Sequence, residues 1–172
     1  MPSKPGTDTG APPPRTGCPA CGHDGRAVSE RTVKAMLAPR RLAGRIEDQH
    51  RFCPTPSCAT VYFGASEVFV TTDLRVPVFC KEAPGNRTVC YCFEIDEAEI
   101  RQAARDDRAE SVFSHIRELV RRDRCICSVR NPHGSCCLTE VLQVEKAARD
   151  DQSDARDSEI GCGDRYEPGT GH

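Results

Sequence analysis

The sequence predicts an α+β protein built from two small modules, a β-rich one followed by a compact helical one, with disordered segments at both ends. Three observations carry this. β-Branched and aromatic residues crowd the runs 59–64, 67–70 and 74–79, and Gly, Ser and Asp break them apart, which is strand patterning. Beyond residue 96 the apolar positions switch to helical spacing. Twelve cysteines, most of them in tight groups, stand in a chain that is only 37% hydrophobic and has no tryptophan. So little apolar material builds a modest core, and metal crosslinks are expected to supply what burial cannot.

Residues 1–17 are polar, rich in Pro and Gly and free of periodicity, and read as a disordered leader. No apolar run resembles a signal peptide or is long enough to span a membrane. A cytoplasmic protein is therefore expected, in which thiols stay reduced and grouped cysteines mean metal rather than disulfides. The formal net charge is −2 and the arginines are dispersed among acids without interleaved aromatics, which argues against nucleic acid as a partner. Neither a nucleophile–base pair nor an open metal position is visible, so the expectation is that the chain is not an enzyme.

The first module, 18–80, opens on Cys18-Pro19-Ala20-Cys21-Gly22. Two cysteines three apart aim their sulfurs at one ion, and the glycine after them permits the tight turn. Cys53 and Cys58 provide the partner pair, so that C-x2-C and C-x4-C together suit a tetrahedral Zn²⁺ closed by protein, a structural site in a zinc-ribbon-like fold. Between the pairs, Val33, Met36, Leu37 and Leu42 suggest a short helix or turn, while Tyr62, Phe63 and Phe69 form a minor core. His23 and His50 lie near the cysteines and read as surface residues. Cys80 has no spacing partner and reads as a half-buried thiol.

Residues 81–88 are turn-rich and serve as the linker to a helical domain over 89–148. Cys90-Tyr91-Cys92 places two sulfurs on one side of a short loop, and the distant group Cys125, Cys127, Cys136 and Cys137 can supply two more, the four thiolates of a [2Fe-2S] cluster. The spacing leaves open which of Cys125 and Cys127, and which of Cys136 and Cys137, would ligate. Asn131-Pro132-His133-Gly134 is a type I turn that folds this group back on itself. Asp96 and Glu99 make a capping-box start for a helix carrying Ile100, Ala103 and Ala104, so Cys90 and Cys92 enter a helix N-terminus whose N–H groups can point at sulfur. A second helix runs from about Ser111, with Val112, Phe113, Ile116, Leu119 and Val120 inward. Arg121, Arg122 and Arg124 at its end are either a solvated terminus on the helix dipole or a cationic surround for the thiols. Ser135 is expected to cap a third helix from 136 to about 148, bearing Leu138, Val141, Leu142 and Val144. Residues 149–172 are expected to be a disordered acidic tail holding Cys162.

The strings C-P-x-C, F-C-x4-C-x2-V-Y-F, C-Y-C-F and C-x-C-x3-N-P-x-G-x-C-C-L, read together, resemble the N-terminal part of CopZ-type metallochaperones, from about Cys18 to Val144. The second half of that region is in turn similar to the bacterioferritin-associated ferredoxin fold. The resemblance implies zinc on Cys18, Cys21, Cys53 and Cys58. It implies a [2Fe-2S] cluster on Cys90, Cys92, Cys127 and Cys137, with Cys125 and Cys136 as substitutes. Chaperones of this kind carry in addition a heavy-metal-associated domain that delivers Cu(I) to a P-type ATPase. Here Cys18-x-x-Cys21 is the only C-x-x-C, so that domain is expected to be missing and Cu(I) would fall to spare thiols such as Cys80, Cys125, Cys136 or Cys162. The function expected is a redox-active metal-handling accessory protein linked to heavy-metal or copper homeostasis or detoxification. Its partner would be a P-type ATPase transporter, a redox protein or a separate heavy-metal-associated copper chaperone. The alternatives are a ferredoxin-like one-electron carrier and a cluster-gated interaction or sensor module.

Overall fold

Six short strands and five helices make up the described residues of the computed structural model, which are 16–43, 46, 49–106 and 111–160. The expected leader lies almost wholly outside them, as do residues 161–172 with Cys162. Strands β1 (Arg26–Ala27), β2 (Arg51–Phe52), β3 (Thr60–Phe63) and β4 (Val68–Val70) form one antiparallel sheet in that order. β3 buries all four of its residues, because Val61 and Tyr62 pack into the first core while Phe63 packs against Cys18, Cys53 and Cys58. Helix α1 (Glu30–Met36) starts at Ser29, whose side chain accepts the Thr32 N–H at 3.1 Å, and it turns Val33 and Met36 into the same core.

The short helix or turn expected from Val33, Met36, Leu37 and Leu42 is present as α1 and the turn after it, and one expectation, the strand over 74–79, fails. Leu42 is 43% exposed, because the helix stops at Leu37 and a 3₁₀ turn over Pro39–Arg41 breaks the phase that would have kept it on the Val33–Met36 face. The run 74–79 is not a strand. Leu74 makes a single bridge with Leu37, Pro77 has no N–H to offer a ladder, and the chain closes into a 3₁₀ turn at Phe79–Lys81.

The second half begins with the hairpin of β5 (Thr88–Cys90) and β6 (Ile95–Asp96), followed by α2 (Glu97–Arg105), α3 (Val112–Arg121), the single turn α4 (Cys127–Arg130) and α5 (Leu138–Ile160). Asp96 accepts the Glu99 N–H at 2.8 Å, the cap read from the sequence, and Ser111, where the second helix was expected to begin, accepts that of Ser114 at 3.1 Å. Helix α5 packs on α2 and α3 around Val89, Ile100, Ile116, Val141 and Val144. It departs from expectation at both ends. The Cys137 carbonyl, not Ser135, accepts its first bond, from Val141, and Ser135 instead pairs with the His133 ring. At the other end α5 continues past Ala148 to Ile160, with Arg149 paired to Glu145 one turn back and Asp151 to Arg101. Acidic, polar composition signalled disorder, but 149–160 contains no Gly or Pro to stop the helix. Among the described residues, no helix is long and apolar enough to cross a membrane.

The two halves are fastened at the loop between Cys127 and Cys137. Buried between them, the Tyr62 hydroxyl donates to the Pro132 carbonyl at 2.5 Å, and Thr32 Oγ1 donates to the Ser128 carbonyl at 2.8 Å. Gly134 has φ +72° and presses so close that a Cβ there would stand 2.9 Å from Thr32 Oγ1, so only glycine fits. A second fastening lies under residues 81–88. Arg87 stacks over the Phe79 ring at 4.1 Å and pairs at 2.6 Å with Glu97, which also bonds Arg101 and the Gly85 N–H. Glu97 has no exposed surface. Burial alone would raise its pKa, but the Gly85, Arg87 and Arg101 donors prevail and hold it below its ordinary 4.5.

Tyr62→Phe should cost about 1–3 kcal/mol in chemical denaturation, the penalty of a buried carbonyl left without its donor. Glu97→Gln should cost about 3 kcal/mol at neutral pH, since it leaves two arginines facing a neutral amide. Because the folded pKa of Glu97 is depressed, its contribution is full above the unfolded value of 4.5 and fades as the pH falls through the lower folded value. Denaturation curves of wild type and variant should therefore converge in acid.

Candidate metal centres

The sheet brings the four cysteines of the first module to one point. The loop after Gly17 curls so that the Gly22 N–H reaches the Cys18 carbonyl, with Gly22 at φ +76°, and this turns Cys18 and Cys21 to the same side. Cys53 leaves the end of β2, and its N–H stays bonded to the Val61 carbonyl while the chain loops back to Cys58 ahead of β3. All four sulfurs lie within 4.8 Å of one another, Cys18 to Cys58 at 3.9 Å and Cys21 to Cys53 at 3.7 Å. Thiolates held tetrahedrally at zinc–sulfur distance stand about 3.8 Å apart, so the donor set has the size and chemistry of a closed zinc site. Phe63 backs it on the protein side.

The site's surroundings prepare it for a cation. The Thr55 hydroxyl, 3.4 Å from Cys21 Sγ, and the nearby His23 N–H stabilise a thiolate there and bring Cys21 down to about 5. Burial pushes Cys53 up to about 12, so in the metal-free protein its proton stays until a cation replaces it. Lys81 donates to the Thr55 and Cys58 carbonyls, both at 2.9 Å, and pins the C-x4-C loop. Nothing in the spacing announces Lys81, which is 23 residues from Cys58. His23 is exposed as expected, with Nδ1 3.2 Å from the Cys21 carbonyl. His50 is not a surface residue; it is buried against Phe69, with Glu67 3.5 Å from Nε2, and neither histidine joins the sulfurs.

In the second half Cys90, Cys92, Cys127 and Cys137 meet where the β5–β6 hairpin faces the starts of α4 and α5. Cys92 and Cys127, 35 residues apart in sequence, have their sulfurs at 3.6 Å, and the Cys137 thiol interacts with those of both Cys90 and Cys127. That contact with Cys137 is the main reason Cys127 falls to about 5 and Cys90 to about 7, while Cys137 itself is raised. Burial takes Cys92 up to about 12. Protons are thus held on Cys92 and Cys137, and negative charge is tolerated on Cys90 and Cys127. Backbone donors serve these sulfurs: Cys92 and Phe93 N–H to Cys90, Ile126 N–H to Cys92 at 3.4 Å, and Cys137 N–H to Cys127. Cys125 and Cys136 sit at the margin, each touching Cys127 and each raised chiefly by burial. Cys80 is half-buried and packs against the first core.

The type I turn forms as read, with the Gly134 N–H bonded to the Asn131 carbonyl at 2.9 Å. Asn131 does more than start it, for its side chain is buried and holds both the His133 N–H and the Ser135 carbonyl. Of the cations, Arg121 and Arg122 are spent on Glu118, an ordinary surface pairing. Arg130, unremarked in the sequence, is the arginine that reaches the thiol group, donating to the Cys92 carbonyl at 3.3 Å.

Comparison with known proteins finds a zinc binding domain over the first half and a likeness of fold over most of the chain. The zinc binding domain family zf_CopZ matches residues 15–75. The chain is 32% identical over 120 residues to the copper chaperone CopZ of Archaeoglobus fulgidus, an alignment covering 70% of this chain and 57% of that protein. It therefore spans little more than half the length of the curated relative it matches. The X-ray structure of the Archaeoglobus fulgidus CopZ N-terminal domain superposes with a TM-score of 0.59 at 29% identity, covering 74% of this chain and 96% of that one.

Cys53→Ala should abolish zinc retention and lower the melting temperature steeply, since a structural zinc site contributes most of the folding free energy of a module this size. Cys80→Ala should leave zinc content unchanged. Metal analysis and thermal denaturation of the two variants check both outcomes.

Proposed function

We propose that this chain is a non-catalytic, metal-handling accessory protein of the CopZ-like kind, with a structural zinc on Cys18, Cys21, Cys53 and Cys58 and a [2Fe-2S] cluster on Cys90, Cys92, Cys127 and Cys137. The observation that carries the second half of this reading is the meeting of four sulfurs from three separate stretches of chain, with Cys92 and Cys127 at 3.6 Å and Cys137 in contact with Cys90 and Cys127. Four thiolates presented as a Cys-x-Cys pair facing two separate cysteines are the donor set that a [2Fe-2S] cluster takes. When bound, the cluster supplies one-electron redox chemistry.

The protein's part is to set the terms of that chemistry. The N–H groups of Cys92, Phe93, Ile126 and Cys137 lie against the sulfurs and offset their negative charge, which favours the reduced state. The carbonyl of Cys92 is held by Arg130, and the Cys127–Cys137 loop is held by Tyr62 and Thr32, so the ligand loops are fixed before a metal arrives. Similarity to a copper chaperone supports a role in copper or heavy-metal homeostasis, with a P-type ATPase, a redox protein or a separate copper chaperone as partner. Spare thiols at Cys80, Cys125 and Cys136 are soft enough to take Cu(I) in passing. The competing reading, a simple one-electron carrier, is favoured by Cys92, which is only half-buried beside the exposed Ile126.

Anaerobically purified protein should contain about two irons and about one zinc per chain and show visible absorption that dithionite bleaches. Cys92→Ala should lose the iron and keep the zinc. Zinc at both sites, or a cluster that no physiological reductant can reduce, would sink the redox part of the proposal. A Cu(I) titration against a competing chelator separates the two readings, since the carrier alone requires no copper affinity.

A further inference from the structure

An open groove of about 410 Å³ runs along the seam between the two halves, beside the second thiol group. Its walls come from both: Met36, Arg75 and Pro77 from the first, Tyr91, Glu94 and Arg130 from the second. Tyr91 stands between Cys90 and Cys92, with its hydroxyl donating to the Pro77 carbonyl and accepting the Phe79 N–H, so the aromatic wall is fixed in place. Arg130 holds the Cys92 carbonyl with one guanidinium nitrogen. Both Arg75 and Arg130 are exposed, and among the described residues neither has a carboxylate partner, whereas Arg87, Arg101, Arg122 and Arg149 are all paired. Glu94 is the one carboxylate on the lining. Ile126, four residues before Arg130 in the chain, is 51% exposed while its N–H bonds Cys92 Sγ.

We propose that this groove is the docking surface for an acidic protein segment, whose carboxylates pair with Arg75 and Arg130 while its apolar side chains cover Tyr91 and Ile126. Three features favour that occupant. Two uncompensated guanidiniums on one groove attract carboxylate and fix its orientation by bidentate pairing. A rigid tyrosine and unpaired arginines are the residue types that dominate interface energetics. The chain as a whole is acidic, with formal charge −2, so a local excess of arginine here is set against the overall balance. A segment seated in this groove lies against Tyr91 and Arg130, within one residue or one hydrogen bond of Cys92, the least buried sulfur of the four except for its neighbours' substitutes. The inference does not depend on which metal the thiols hold.

The test uses the full, metal-loaded chain and a fluorescently labelled decaglutamate peptide, followed by anisotropy at low salt. Binding should weaken as salt is raised, and Arg75→Glu should reduce affinity about tenfold, while Arg105→Glu, at the far end of α2, leaves it unchanged. Arg130→Glu should show the same loss, but it also removes the donor to the Cys92 carbonyl. Arg75→Glu therefore decides the matter, with iron and zinc content measured to show that both sites are intact. An equal loss in Arg75→Glu and Arg105→Glu, or no binding by wild type, overturns the proposal. An equally tight response to an oligonucleotide of the same charge also overturns it, by reassigning the surface to polyanions in general.

Discussion

The buried hydrogen bond from the Tyr62 hydroxyl to the Pro132 carbonyl is the constraint on which most of the structure turns. It joins residues 70 apart, one on the central strand of the sheet and the other in the tip of a loop that has no regular structure beyond one helical turn. A buried hydroxyl and a buried carbonyl are each costly alone and stabilising only together, so the bond fixes how far the loop stands from the sheet. Thr32 and Gly134 then leave no slack on one side, and Asn131 braces the turn from within. With the tip fixed, the two arms of the loop place Cys127 and Cys137 against the β5–β6 hairpin. The sulfurs converge because the loop is held from outside, in a chain with too few apolar residues to hold it by burial.

The legible part of this architecture was the part governed by short-range chemistry. Paired cysteines with Gly22 after them, the Asp96 cap and the Asn-Pro-x-Gly turn each depend on residues within five of one another, and each formed as read. Helix periodicity likewise placed Ile100, Ile116 and Val141 in one core. What was hidden depends on distance in sequence or on context. The positions of Lys81 under the C-x4-C loop, Arg130 on the Cys92 carbonyl and Tyr62 on the Cys127–Cys137 loop are set by tertiary approach, which no local pattern encodes. The 74–79 run misled for a related reason: Pro77 changed the backbone path, and a correct apolar count was projected onto the wrong geometry. Residues 149–160 misled because composition measures how well a segment can be buried, and a solvated helix does not need to be.

The two sulfur groups differ in how they are housed. The first is compact and backed by Phe63, with Lys81 holding its loop and Thr55 and His23 serving the half-buried Cys21 sulfur. The second has one edge turned outward, with Cys92 half-buried beside an exposed Ile126 and an open groove. A closed site stabilises a fold, whereas an edge facing solvent gives a partner something to approach. Each set carries one half-buried cysteine, Cys21 in the first and Cys92 in the second, so the groove and not sulfur burial sets the second apart.

The shared wall between the halves also makes the two centres thermodynamically linked. A cation gathered by Cys18, Cys21, Cys53 and Cys58 would order the sheet that carries Tyr62, and Tyr62 braces the loop that carries Cys127 and Cys137, so part of the entropy needed to bring the second set of thiols together would already be lost. Reciprocity then requires that filling the second centre tighten the first by the same factor. On the proposed reading, loading of the two centres would be cooperative, and a chain stripped of its first metal would be a poorer acceptor at the second.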